Sequence, residues 1–158
     1  YELQPVATYG LELAHLYAEQ KNGKALDICN DILKQDSASL MIDPLFIKGI
    51  YYANMKLYPE AIAQFDSCIQ RDWKTTDAYL EKGIAYYHLQ DFKTAIKTFS
   101  MATTVSNTDP DAYYWLGRCY EATRRKPEAI SNYQKTLSLD KSFTDAKDAI
   151  ERLQGTSQ

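Results

Sequence analysis

An all-α fold of repeated antiparallel helix pairs is predicted by three observations. Glycine recurs at Gly49, Gly83 and Gly117, a fixed step of 34 residues, and other columns keep that step without an insertion. Leu45, Tyr79 and Tyr113 precede the glycines by four residues, Tyr52, Tyr86 and Tyr120 follow them by three, and Ala61, Ala95 and Ala129 follow by twelve. Ile62, Ile96 and Ile130 form a further column, as do Phe65, Phe99 and Tyr133. The second observation is that each unit carries apolar residues at helical spacing in two segments separated by a short turn. The third is composition: 45% hydrophobic and 25% charged side chains match a soluble globular chain, and no apolar run approaches the ~18 residues of a membrane span.

The elements follow in chain order. A degenerate first unit, about 5–36, places Ala14 and Tyr17 in the glycine and tyrosine columns, and Ala25, Cys29 and Ile32 on its second helix. Its turn, Gln20 to Lys24, is one residue shorter than the others, and the linker Asp36 to Ile42 is longer. The second unit, about 42–75, opens on Asp43-Pro44, read as an N-cap followed by the residue best tolerated at the first helical position. Its first helix should run to about Lys56; Pro59 starts the partner, which carries Ile62, Phe65 and Ile69 to about Arg71. The third unit, about 76–109, repeats this from Thr76 to Leu89 and from Phe92 to Val105, with Gln90-Asp91 as its turn. The fourth, about 110–143, starts at Asp109-Pro110, turns near Arg125 and reopens at Pro127. A closing helix, about 144–154, has Ala146, Ala149, Ile150 and Leu153 as an apolar stripe, with Lys147, Asp148, Glu151 and Arg152 outside it and Gly155-Thr-Ser-Gln as a frayed tail.

Glycine inside a helix costs about 0.5–1 kcal/mol against alanine, so three at equivalent positions imply close packing. Gly49 with Ala61, Gly83 with Ala95 and Gly117 with Ala129 are the expected crossings, with Tyr52, Tyr86 and Tyr120 filling the space beside them.

From about Gln4 to Gln154 these columns resemble the tetratricopeptide repeat, a helix–turn–helix module. The resemblance implies a right-handed solenoid of antiparallel helix pairs closed by a C-terminal capping helix, forming a single domain over 1–158. Two departures stand out: Lys48 and Lys82 lie where the family has an apolar residue, matched here by Leu116, and the family's proline after the second helix is missing at Trp73, Asn107 and Lys141.

The resemblance also implies a concave face lined by a second stripe on each first helix. That stripe reads Phe46, Ile50, Ala53 and Asn54 in the second unit, Leu80, Ile84, Tyr87 and His88 in the third, and Tyr114, Arg118 and Glu121 in the fourth. The first unit adds Leu11, His15 and Glu19. Aromatic side chains beside an arginine have the composition of a binding hot spot. The expected function is a non-catalytic scaffold or adaptor that binds a partner peptide or helix in this groove. Alternatives are a self-associating unit forming a weak homo-oligomer, and an interaction module on an extracytoplasmic lipid-anchored assembly protein. Some relatives hold the C-terminal carboxylate of chaperones with lysine, asparagine and arginine side chains; the matching places here hold Leu11, His15, Ile47, Asp77 and Glu81, which would not solvate a carboxylate.

Other classes find little footing. A net charge of −3 offers no field for nucleic acid, and Arg124-Arg125-Lys126 reads as cations complementing a helix C-terminus. His15 and His88 sit in different units without a metal-ligand spacing, and no phosphate loop or nucleophile elbow occurs. No cofactor, metal or catalytic residue is expected. Cys29, Cys68 and Cys119 follow no paired spacing and read as small buried hydrophobes. Unpaired cysteines favour a reducing, cytoplasmic compartment, whereas a chain opening at Tyr1 rather than methionine leaves an extracytoplasmic location open.

Overall fold

The computed structural model describes residues 5–35 and 41–155. Among them are nine α-helices and no strand: α1 (Pro5–Glu19), α2 (Lys24–Gln35), α3 (Asp43–Asn54), α4 (Tyr58–Arg71), α5 (Thr76–His88), α6 (Phe92–Val105), α7 (Pro110–Ala122), α8 (Lys126–Leu139) and α9 (Thr144–Gly155). The expected elements are all present, with ends within about two residues of the sequence reading. Gly155 closes α9 instead of starting a tail. The tail beyond it and most of the Asp36 to Ile42 linker lie outside the described residues.

The chain divides into two compact units, Tyr1–Ala85 and Tyr86–Gln158, with the boundary inside α5. In the first, α1 pairs with α2 and α3 with α4, and α3 also packs on α1 and α2. Its core is one layer of buried small and apolar side chains, Ala14, Ala18, Ala25, Cys29 and Ile47, followed by a second, Leu45, Ala61, Phe65, Cys68 and Ala78. In the second unit, α6 packs on α7, α7 pairs with α8, and α8 packs on α9. There Ala129, Tyr133, Ala146 and Ala149 form the buried layer beneath α9.

The glycine positions Gly49 and Gly117 each meet the aromatic column of the second helix most closely. A β-carbon on Gly49 would lie closer than 3.0 Å to ring atoms of Phe65, and one on Gly117 would meet Tyr133 in the same way. Ala14 takes the glycine position of the first unit, and there the facing column holds Cys29 instead of a ring. A smaller partner permits the extra methyl group.

The turns inside each pair share one geometry. Lys21, Lys56, Gln90 and Arg124 all adopt φ near +60°. The N–H of the next residue donates back to the carbonyl of the tyrosine column: Asn22 to Tyr17, Leu57 to Tyr52, Asp91 to Tyr86 and Arg125 to Tyr120, at 2.8 to 3.0 Å. This is the left-handed C-terminal cap with a six-residue closure, built here without glycine. The tyrosines thus mark helix ends through their backbone as well as filling space.

Caps at helix starts are uneven. Asp109 accepts from the N–H of Asp111, and Asp91 accepts from that of Thr94. Asp43 is not an N-cap: it lies inside α3, preceded by Ile42 in helical conformation, and no side chain caps that end. The two lysines at apolar family positions are satisfied laterally. Lys48 donates to Asn30 at 2.8 Å, and Lys82 pairs with Asp66 at 2.5 Å. Each links a first helix to the second helix of the preceding pair.

Candidate functional site

In the second of the two compact units, Tyr86–Gln158, the predicted stripe converges on Arg118. Placed on α7 one residue after Gly117, its half-buried guanidinium lies 5.0 Å from the ring centres of Tyr87 and Trp115 and 6.0 Å from that of Tyr114. It donates to the Tyr87 hydroxyl at 3.1 Å. The rings are braced in turn: Tyr87 meets Trp115 edge-on at 5.3 Å, and Tyr114 packs on Phe143 at 4.9 Å. Such stacking fixes a guanidinium without neutralising it. His88, next to Tyr87, is exposed and its ring packs edge-on to that tyrosine at 5.9 Å.

Glu121, one turn beyond Arg118, is committed elsewhere. Both its oxygens are held by the guanidinium of Arg152 on α9, and Oε2 also accepts from the Tyr133 hydroxyl at 2.9 Å. The bonds from Arg152 and then from Tyr133 hold its carboxyl below the usual range, against partial burial. Arg118 forms no ion pair among the described residues. It opens onto a cleft of about 460 Å³ shared with Tyr114, Tyr133, Arg152 and the carboxylates Asp145 and Asp148.

In the first unit the stripe is used more for packing. Ile50 touches both core layers, and Phe46 packs on Phe65 at 5.6 Å. The Asn54 amide donates to the Ala18 carbonyl at 3.2 Å, tying α3 to α1. Leu80 and Ile84 are half-buried on α5. Between α1 and α3 a second cleft, of about 450 Å³, is lined by Leu11, Glu12, His15, Asp43, Phe46 and Ile47. His15 Nε2 lies 3.4 Å from Glu19.

Trp115 and Arg152 belong to the second-unit cluster but were not in the predicted stripe. Trp115 continues the Ile47 and Glu81 column, whose mixed chemistry hides it; Arg152 lies 31 residues from Glu121, beyond any local pattern. Arg125 of the basic turn is paired with Glu128 at 2.7 Å and lies over Tyr120, as expected of solvated cations at a turn.

The three cysteines are buried and unpaired. Burial pushes the Cys29 thiol up to about 11 and those of Cys68 and Cys119 up to about 12, so none is poised as a thiolate at neutral pH. Among the described residues no group of side chains is arranged to hold a metal ion, and no helix is long and apolar enough to cross a membrane.

Paired helices presenting clefts lined by aromatic and charged side chains define a protein-interaction module. Two tetratricopeptide repeat models match the chain, over residues 48–110 and 110–143. The chain belongs to the tetratricopeptide repeat family, and its fold class is the all-α solenoid of that family, whose members are generally non-catalytic. Tetratricopeptide repeat protein 14 of Mus musculus is 26% identical over 142 residues, covering 85% of this chain and 18% of that protein. This chain therefore spans about a fifth of that relative's length. A crystal structure of MamA is 26% identical with a TM-score of 0.73, covering 82% of this chain and 74% of that one. The first repeat domain of Spaghetti (RPAP3), bound to the HSP90 peptide SRMEEVD, has a TM-score of 0.68 at 22% identity, covering 71% and 89%.

Proposed function

We propose that this module holds a peptide or helix of a partner protein against the inner stripe of its first helices, as a scaffold or adaptor. The observation that carries the reading is Arg118: a half-buried cation oriented by Tyr87, Tyr114 and Trp115, unpaired with any carboxylate among the described residues, at the edge of a cleft. Half-desolvated charges gain most from a partner that completes their hydrogen bonds. A partner carboxylate or carbonyl beside an apolar side chain would satisfy both the guanidinium and the ring edges. Within the unit Tyr86–Gln158 the proposed contact residues are Tyr87, His88, Tyr114, Arg118 and Glu121; within the unit Tyr1–Ala85, taken by itself, they are Phe46, Ile50, Asn54, Leu80 and Ile84. A solved structure of similar fold that carries a bound peptide supports peptide capture as a use of this scaffold.

The test is affinity capture from native lysate with the intact chain and a Tyr114→Ala, Arg118→Glu double variant. A protein retained by the first and lost with the second, at unchanged helicity, supports the reading; identical captures overturn it for the Arg118 cleft.

A second reading, self-association, is favoured by one feature of α1. Tyr9, Leu13 and Leu16 follow helical spacing and are 72%, 43% and 48% exposed, an apolar stripe with no cover among the described residues. Light scattering across dilution should then show a concentration-dependent mass that Leu13→Lys, Leu16→Lys abolishes; a constant monomer mass rejects it.

A further inference from the structure

The cleft between α1 and α3, unlike that around Arg118, has acidic side chains and no lysine or arginine in its lining. Its floor is apolar, made by Leu11, Phe46 and Ile47, and Phe46 is fixed by its contact with Phe65. Its rim carries two carboxylates, Glu12 and Asp43. Both are exposed, and neither forms an ion pair or side-chain hydrogen bond among the described residues. The remaining polar group, His15, is turned to Glu19.

The surroundings reinforce that sign. Residues 1–85 contain twelve acidic and eight basic side chains, a formal charge of −4, whereas residues 86–158 contain nine acidic and ten basic, +1. The chain's negative charge therefore resides in the unit that holds this cleft. On α5 of the same unit Glu81 is largely buried, and burial with the neighbouring Asp77 pushes its carboxyl above the usual range.

We infer that the α1–α3 cleft docks a lysine or arginine side chain of a partner segment, its methylene stem on Leu11, Phe46 and Ile47 and its charged head between Glu12 and Asp43. Long cationic side chains cover apolar surface with the stem while keeping the head among polar groups, and a floor of this kind beneath unpaired acids matches both parts. An acidic segment would meet like charge on the same rim, which costs specificity as well as affinity. The inference rests on the reading of the chain as a peptide-holding module and adds the chemistry of the segment held by the first unit.

The probes are short fluorescein-labelled peptides with identical leucine positions and lysine, glutamine or glutamate at the others. They are titrated by anisotropy into the full chain and into a Glu12→Gln, Asp43→Asn variant, whose exposed near-isosteric changes leave the core intact. The lysine peptide is expected to bind best, to weaken about tenfold or more in the variant, and to shift amide resonances of Leu11–His15 and Asp43–Ile47 in ¹⁵N spectra. Equal binding of the three peptides, or a lysine peptide indifferent to the variant, overturns the inference while leaving peptide capture standing. Binding of none overturns both for this unit.

Discussion

The ring of Tyr133 occupies the volume that a side chain on Gly117 would need. The aromatic column and the glycine column are thus two halves of one contact, repeated by Phe65 and Gly49. Gly117→Ala and Gly49→Ala should each destabilise the chain by about 1–3 kcal/mol, because overpacking outweighs alanine's better helix propensity. Gly10 is the internal control: a β-carbon there meets Ile32 at an ordinary 3.5 Å, so Gly10→Ala should stabilise by up to about 1 kcal/mol. Urea unfolding of the three variants checks the opposite signs.

Lys56, Gln90 and Arg124 hold left-handed conformations at the turn of each pair, which cost roughly 1–2 kcal/mol in a residue with a β-carbon. Glycine removes that strain but adds freedom to the unfolded chain. Gln90→Gly should therefore raise stability by less than the full strain, about 0.5–1 kcal/mol, and Gln90→Val should lower it. Melting temperatures of the pair decide the matter, since a solvent-driven effect would not reverse with side-chain shape.

The Glu121 carboxyl is held below its usual range, by Arg152 first and then by Tyr133. A depressed folded value means that its contribution is present above the ordinary glutamate value of ~4.3 and is lost as pH falls through the folded value. Glu121→Gln should flatten this acid-side decline. Hydrogen exchange of α9 should rise in Arg152→Ala, since α9 loses its side-chain tie to α7.

Glu81 has the opposite sign. Its folded value is raised by burial and by Asp77, so its contribution is present below ~4.3 and is lost as pH rises through the folded value. Glu81→Gln is expected to stabilise the chain at pH 7 and to have little effect at pH 4. An equal effect at both pH values in denaturant titrations would show that burial does not penalise the charge.

The helices were legible because 34-residue spacing repeats both the apolar columns and the Pro or Asp at helix starts, and these are local signals. What faces what was not. Small residues at Gly49, Ala61, Gly117 and Ala129 suggest close approach of the two helices; that the rings of Phe65 and Tyr133 lie nearest the glycines is a matter of side-chain direction that spacing does not encode. The left-handed turns carry Lys, Gln and Arg, so no glycine announced them. Tyr114 and Arg118 were readable as a pair one turn apart on the predicted stripe, whereas the Arg152 and Glu121 contact joins helices 31 residues apart and depends on how α9 settles.

The cap hydrogen bonds to Tyr17, Tyr52, Tyr86 and Tyr120 each span only five residues, and Gly117 meets Tyr133 within the same pair. Closing such short loops requires little chain entropy before contacts form. Topologies of this kind belong to the low-contact-order class that folds in microseconds to milliseconds. Each helix pair can then acquire structure once the first helix of the next pair has left the ribosome, since Ile47 and Ala78 complete the layers of the pairs before them, without waiting for more distant segments of the chain.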